Sequence, residues 1–393
     1  MKGRDEVIQA ISIGLIVAYF LLNTNRVLKS IEICKECLTI FKQKAGIKDD
    51  KLAKSQWIKI LRIYREREEK LQEYELSLNQ ANMYFCQSKY AEARGCFERG
   101  ILISREIGDI NGEGKCYANL GAVYASVAEY DKAREHLEKS LAIKKQIGDR
   151  SGEGTCYLNL GNVYHSVGEY DKAKEHHEKS LAIKKEIGDR NGEAGCYRSL
   201  ATVYSSVGEY AMARKHLEKS LAIRKEIGDR NGEANCYANL GNVYSSIRKY
   251  DKAREHLQKS LAISKEIGDR NGEAGCYLNL GIVYSSIDKF DKAREHLEKS
   301  LAIKKEIGDR NGEASCYISL GNVYTSIGKY DKAREHLEKS LAIKKDVGDT
   351  DGEAECYGRI AVLYQSVGEY GIAIEHLKKA LVINRKKGDK VGV

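Results

Sequence analysis

From Asn111 onward the sequence repeats itself every 40 residues, in units opening at 111, 151, 191, 231, 271, 311 and 351, with neither insertion nor deletion. A more divergent copy occupies 71–110, so eight units fill 71–393 and residues 1–70 stand apart as a divergent amino-terminal segment. A chain of 393 residues would otherwise predict two or three globular domains. A fixed period of about 20 to 50 residues predicts an array instead, in which each unit packs only on its neighbours.

Both halves of the unit carry helical periodicity. In the unit from 151, Tyr157, Leu160, Gly161 and Tyr164 fall at i, i+3, i+4 and i+7, one apolar stripe of a helix. Ala173, His177, Ser180, Leu181 and Ile183 form the stripe of a second. Val167-Gly168-Glu169-Tyr170 between them is short enough to make the two helices antiparallel neighbours. Gly188 is placed to close the second helix in the left-handed conformation, and Asp189 or Asn191 to start the next with a side-chain oxygen. Composition agrees, with 31% charged and 42% hydrophobic residues and no proline to break a helix.

Tyr157, Leu160, Gly161 and Tyr164, followed by Tyr170 and Ala173, resemble the tetratricopeptide repeat pattern, with tyrosine for its opening tryptophan and without its closing proline. The 40-residue period is similar to the subgroup of the Pins/LGN-type scaffolds and other long animal repeat proteins, which share the Leu-Gly-Asn-x-Tyr and Gly-Asp-Arg elements. The resemblance implies an all-α fold, a right-handed superhelical solenoid of antiparallel hairpins. It also implies a non-catalytic scaffold that binds one or more proteins through an extended or helical peptide in a concave groove. The alternative is an adaptor region of a larger signalling protein, such as a cell-polarity or G-protein-linked scaffold.

Because the units are nearly identical, their differences map the surface free to specialise. Along the first helix they concentrate at the positions of Thr155, Leu158, Asn162 and His165, a spacing of 3, 4 and 3 that marks one helical face. The candidate groove residues on it are Leu158, Asn162 and His165, then Arg198 and Thr202, Asn242, Leu278, Ile318 and Asn322. Amides there would pair with a peptide main chain while the aliphatics take up its side chains. The dicarboxylate clamp of chaperone cochaperones is met only in part, by Arg198 and Asn242.

Other chemistries fit less well. The net charge of +9, from 66 basic and 57 acidic residues, is too mild for the polybasic signature of nucleic-acid binding, and the groove adds few cations beyond Lys115 and Arg198. Cysteines recur from Cys116 to Cys356 and histidines from His136 to His376 at the repeat step, one of each per unit. Zinc wants about four ligands together, so both ladders read as packing positions, and no metal or other cofactor is expected. Cys34-x-x-Cys37 lacks a second pair, and Gly108 to Lys115 lacks the spacing of a phosphate loop. No nucleophile, base and orienting group converge, so neither an enzyme nor a small-molecule substrate is expected. Reduced cysteines and the lack of an Asn-x-Ser/Thr acceptor point to the cytoplasm.

Residues 7–22 are uncharged, and Lys29 to Gln43 aligns with Lys132 to Gln146. This end reads as a degenerate hairpin; the alternative is a membrane or targeting segment, through which alone a membrane would be met. Lys51 to Lys70 reads as a further helix outside the repeat register. In the last unit Ile372 and Ile374 replace the polar residues of its sisters, which suggests a chain cut from something longer or a partner on that face.

The small residues Gly161 and Ala173 and their equivalents are expected where the two helices of a hairpin cross. Gly241→Leu should therefore overpack one crossing and cost about 1 to 3 kcal/mol. A thermal melt superimposable on that of the wild type would contradict the crossing.

Overall fold

The computed structural model describes Glu36 and residues 51–391, and within them every regular element is an α-helix. Two compact units divide the chain after Asp189. The described part of the first holds α1 (Lys51–Cys86), α2 (Tyr90–Ile107), α3 (Ile110–Ser126), α4 (Tyr130–Gln146), α5 (Arg150–Ser166) and α6 (Tyr170–Glu186). The second, from Arg190, holds α7 (Arg190–Ser206), α8 (Tyr210–Glu226), α9 (Arg230–Ser246), α10 (Tyr250–Glu266), α11 (Arg270–Ser285), α12 (Phe290–Glu306), α13 (Arg310–Ser326), α14 (Tyr330–Asp346), α15 (Thr350–Val367) and α16 (Tyr370–Val391). Within each unit an odd-numbered helix pairs with the even one after it, and that helix packs on the next odd one. The stretch 7–22, the 29–43 alignment and Cys34-x-x-Cys37 lie outside the described residues. The helix expected over 51–70 continues unbroken into the first hairpin as α1.

Three residues suffice between hairpins. After α4 the chain runs Ile147-Gly148-Asp149. Gly148 takes φ +72°, its N–H meets Lys145 O at 3.2 Å, and the Asp149 N–H meets Lys144 O at 2.9 Å. This is the Schellman closure, in which a left-handed residue turns the last N–H groups back onto open carbonyls. Asp149 then caps α5, its carboxylate accepting from Gly152 N–H at 2.8 Å. Asp109, Asp229, Asp269, Asp309 and Asp349 do the same for their helices. The cap is thus the aspartate, and the asparagine two residues later takes another task. Lys144 Nζ, almost fully buried, donates to Asn111 at 2.6 Å and to Asp149 at 2.9 Å, joining the start of its own hairpin to the start of the next. Lys304 and Lys344 repeat the arrangement with Asn271 and Asn311. Gly152 N–H first, and Lys144 next, hold the Asp149 carboxyl below its ordinary value.

The arginine of the recurring Gly-Asp-Arg ties the two ends of one hairpin. Arg150 reaches Glu153 on the first turn of α5 and Glu186 on the last turn of α6, as Arg230 reaches Glu233 and Glu266.

The buried cysteine ladder is an interior hydrogen-bond relay. Cys276 Sγ donates to Ser260 Oγ at 3.1 Å, and Ser260 donates to Ala234 O at 2.8 Å, linking α11, α10 and α9. Cys236 with Ser220 and Cys316 with Ser300 repeat it, and burial raises these thiols above their ordinary pKa. The histidines lie between paired tyrosines: His136 sits 5.8 Å from Tyr117 and 5.0 Å from Tyr124, with Nδ1 at 2.8 Å from Lys132 O.

Close helix crossings occur at the predicted glycines, with a different partner. A Cβ on Gly241 would lie 2.6 Å from Leu257 Cγ and 3.2 Å from Ala253 O, so alanine contributes its carbonyl and leucine fills the space. Ala201 occupies the equivalent place opposite Leu217, so a methyl fits where a leucine would not. In α5 and α6 the pair is Gly161 and His177, with the imidazole about where Leu257 stands elsewhere; a Cβ on Gly161 would lie 2.5 Å from its ring. His177 is 1% exposed and its Nδ1 meets no partner among the described residues.

Desolvation lowers the His177 pKa to about 4, so the folded state binds fewer protons than the unfolded chain between about 6.5 and 4. The resulting stability is complete above that window and falls as pH drops through it, by about 1.4 kcal/mol per pH unit. His177→Leu should stabilise the protein at pH 7, and its advantage in urea denaturation should widen toward pH 5; a gap independent of pH would refute this. A second expectation concerns the turn within hairpins, where Gly168 has φ +80° and Ala128 is forced to φ +60°. Ala128→Gly should gain about 1 kcal/mol in the same assay, since an L side chain strains the left-handed region.

Candidate functional site

Each first helix places its outward residues on a face set by what lies beneath. In α7, Leu200, Ala201, Val203 and Tyr204 are buried, which leaves Arg198 and Thr202 exposed. The same pattern exposes Asn162 on α5 and Asn242 on α9, and leaves Asn322 on α13 half-buried.

In the second unit, Thr202 and Asn242 come together. A cleft of about 150 Å³ runs between α7 and α9, walled by Thr202, Ser205, Asn239, Asn242 and Ser246 over a floor that includes Ala201, Leu217 and Val243. Thr202 Oγ1 donates to Arg198 O at 3.2 Å and Ser246 Oγ to Asn242 O at 3.1 Å, so both hydroxyls bond their own helices. Amide groups on the rim over an aliphatic floor suit a main chain with small side chains.

Arg198 belongs to a second cleft, of about 190 Å³, nearer the start of α9, with Arg224, Asp229, Asn231, Gly232, Asn235 and Cys236. There Arg224 is fixed by Asp229 at 2.6 Å and by Asn191. Arg198 and Asn242 therefore serve different clefts.

The aliphatic candidates sit deeper. Ile318 is 7% exposed within α13, and Leu278 is half-buried against the core cluster that includes Tyr244, Leu280 and Leu297. Their area is committed mainly to packing, which leaves little for a ligand. Ile282 offers more, at 43% exposed. In the first unit Leu158 is half-buried, and His165 rests 5.5 Å from the Tyr170 ring, where burial lowers its pKa. Variation between units does not single out Asn239 or Ser246: the Ser246 position is serine in every unit from 111 onward, and the Asn239 position is asparagine or serine in all of these but the last. A polar residue recurring beside the buried Leu240 was the available signal.

Among the described residues no group of three metal-ligating side chains gathers, and no helix is long and apolar enough to cross a membrane. Capped antiparallel hairpins repeated at a fixed step, with shallow polar clefts between first helices, define a helical-repeat protein. More particularly, the chain belongs to the tetratricopeptide repeat family, whose model matches overlapping stretches at 73–146, 116–186, 152–226, 193–266, 234–306, 272–346 and 313–386. No curated protein matches it in sequence. Among solved structures it is similar to the apo form of the quorum sensor NprR from B. thuringiensis, at 16% identity over 84% of this chain and 94% of that one, with a TM-score of 0.61. Aspartyl phosphate phosphatase F from Bacillus subtilis gives 13% identity, 85% and 94% coverage and a TM-score of 0.59. A Rap protein complexed with competence and sporulation factor gives 13%, 97% and 99%, and 0.58. At these identities the likeness is one of fold.

Proposed function

We propose that this protein is a non-catalytic protein-interaction scaffold of the cytoplasm that holds a peptide segment of a partner against the outward face of its first helices. The observation that carries the reading is the cleft between α7 and α9, where Thr202 and Asn242 line one concavity. Asn162 and Asn322 extend the same chemistry along equivalent positions of their own helices. The solved complex of a Rap protein with competence and sporulation factor supports binding as a use of this fold. A role as a signalling adaptor, such as the similarity to Pins/LGN-type scaffolds implies, is the finer form of the same proposal.

Asn162→Ala, Asn242→Ala and Asn322→Ala combined should remove partners that the wild-type chain retains in affinity capture. Each lost partner should then bind the purified variant about tenfold or more weakly, as loss of central interface contacts does. An unchanged set of partners would reject the outward face as the binding surface.

A further inference from the structure

The turns within hairpins carry a second specialisation, unrelated to the first-helix face. The residue before the second helix is Glu129, Glu169, Glu209 and Glu369 in four hairpins, but Lys249, Lys289 and Lys329 in the three consecutive hairpins from 231, 271 and 311; the divergent first hairpin also has a lysine there, Lys89, but with an acid, Glu92, one turn on. In the hairpins from 111 and 151 the glutamate neutralises the lysine one turn on, Glu129 pairing with Lys132 at 2.6 Å and Glu169 with Lys172 at 2.5 Å; after Glu209 and Glu369 the corresponding residues are Met212 and Ile372. The change to lysine removes that partner from Lys252, Lys292 and Lys332 and adds a second cation beside each. All six ammonium groups belong to exposed residues of the second unit and have no ion-pair partner among the described residues, and Arg248 adds another cation. The aspartates nearby are largely spent: Asp251, Asp291 and Asp331 pair with Arg254, Arg294 and Arg334 at 3.0, 3.3 and 3.2 Å.

This edge is also concave. A cleft of about 490 Å³ lies between the turns of the hairpins from 271 and 311, where Lys289, Lys292, Arg294 and Lys329 surround the half-buried Phe290 and Ile327. Asp288 and Asp291 line it as well.

We propose that this edge, on α10, α12 and α14 and the turns before them, is a docking surface for an acidic protein segment that places one large apolar side chain between Phe290 and Ile327. Charge supplies the attraction: three adjacent hairpins present paired lysines to a segment rich in Asp and Glu. The apolar pair within the cleft selects against a phosphodiester or lipid headgroup, which would leave it idle. The surface is separate from the clefts of the first helices, so either site stands without the other.

The test uses fluorescence anisotropy on the full chain with a short fluorescein-labelled Asp/Glu peptide carrying one central leucine. Lys249→Glu, Lys289→Glu and Lys329→Glu combined restores what sister hairpins already contain, so its melting should match the wild type. Its affinity for the peptide should fall about tenfold or more at low salt, and added salt should weaken wild-type binding, since exposed charges are screened beyond about 8 Å at physiological ionic strength. The charge-matched Lys115→Glu, Lys215→Glu and Lys378→Glu variant should retain binding, as should the combined Asn162, Asn242 and Asn322 alanine variant. Replacing the peptide leucine with serine should weaken binding. Equal loss in the charge-matched variant, or equal binding of the serine peptide, would overturn the proposal. So would tighter binding of a single-stranded oligonucleotide or of phosphatidylserine vesicles through the same lysines.

Discussion

The three-residue junction between hairpins is the constraint on which the repeat depends. A left-handed glycine closes one helix, and the aspartate after it opens the next, so neither helix can lengthen or shorten without losing a cap. Lys144 makes the junction three-way. Its buried ammonium would be costly alone; held between Asn111 and Asp149, it fixes the spacing of two successive first helices. A repeat step free of insertions and deletions follows from such a joint. An extra residue would displace Asp149 from Gly152 and Lys144 from both its partners.

Above the junction, the same economy recurs in the packing. One serine serves three helices by accepting from a cysteine and donating to a carbonyl, so the interface between hairpins has its own polar register. Glycine at the crossing lets the second helix come close enough for that relay. His177 is the departure. Its ring takes the place of a leucine, and its polarity goes unanswered on one side. A position that packs acceptably and titrates poorly is what a histidine drifting into an apolar site produces.

Much of this was legible in the sequence because each requirement is local. Helix period, short turns, left-handed glycines and the aspartate cap all leave marks within a few residues. What could not be read depends on depth. Variation marked Ile318 and Leu278 as candidates, but an aliphatic at a variable position serves the core as readily as a ligand, and only burial separates the two. The bracing role of Lys144 rests on its burial and on Asn111, 33 residues back along the chain, and neither is displayed by local spacing. Residues 51–86 form a single helix, whereas the sequence reads 51–70 as a helix outside the register of the units that open at 71. The basic edge was visible as letters, since glutamate becomes lysine in three consecutive copies. Its meaning depends on the cleft beside it, which only the fold brings together.

Two kinds of difference between copies therefore carry different weight. On the first helices, substitutions exchange small polar and aliphatic groups one at a time, and each alters a single shallow cleft. At the turns, one reversal of charge is repeated across three adjacent hairpins, and each instance breaks an ion pair that the sister hairpins from 111 and 151 keep. An exposed pair of this kind is screened by solvent and contributes little, so its loss is nearly neutral to stability. The fold consequently exerts little restraint on that edge, and neither does it require three successive changes of the same sign. Independent drift would scatter charges along the array; a single electrostatic demand on neighbouring hairpins would align them. The alignment lies beside a concavity with an apolar base, which is the arrangement expected of recognition and not of solubility alone.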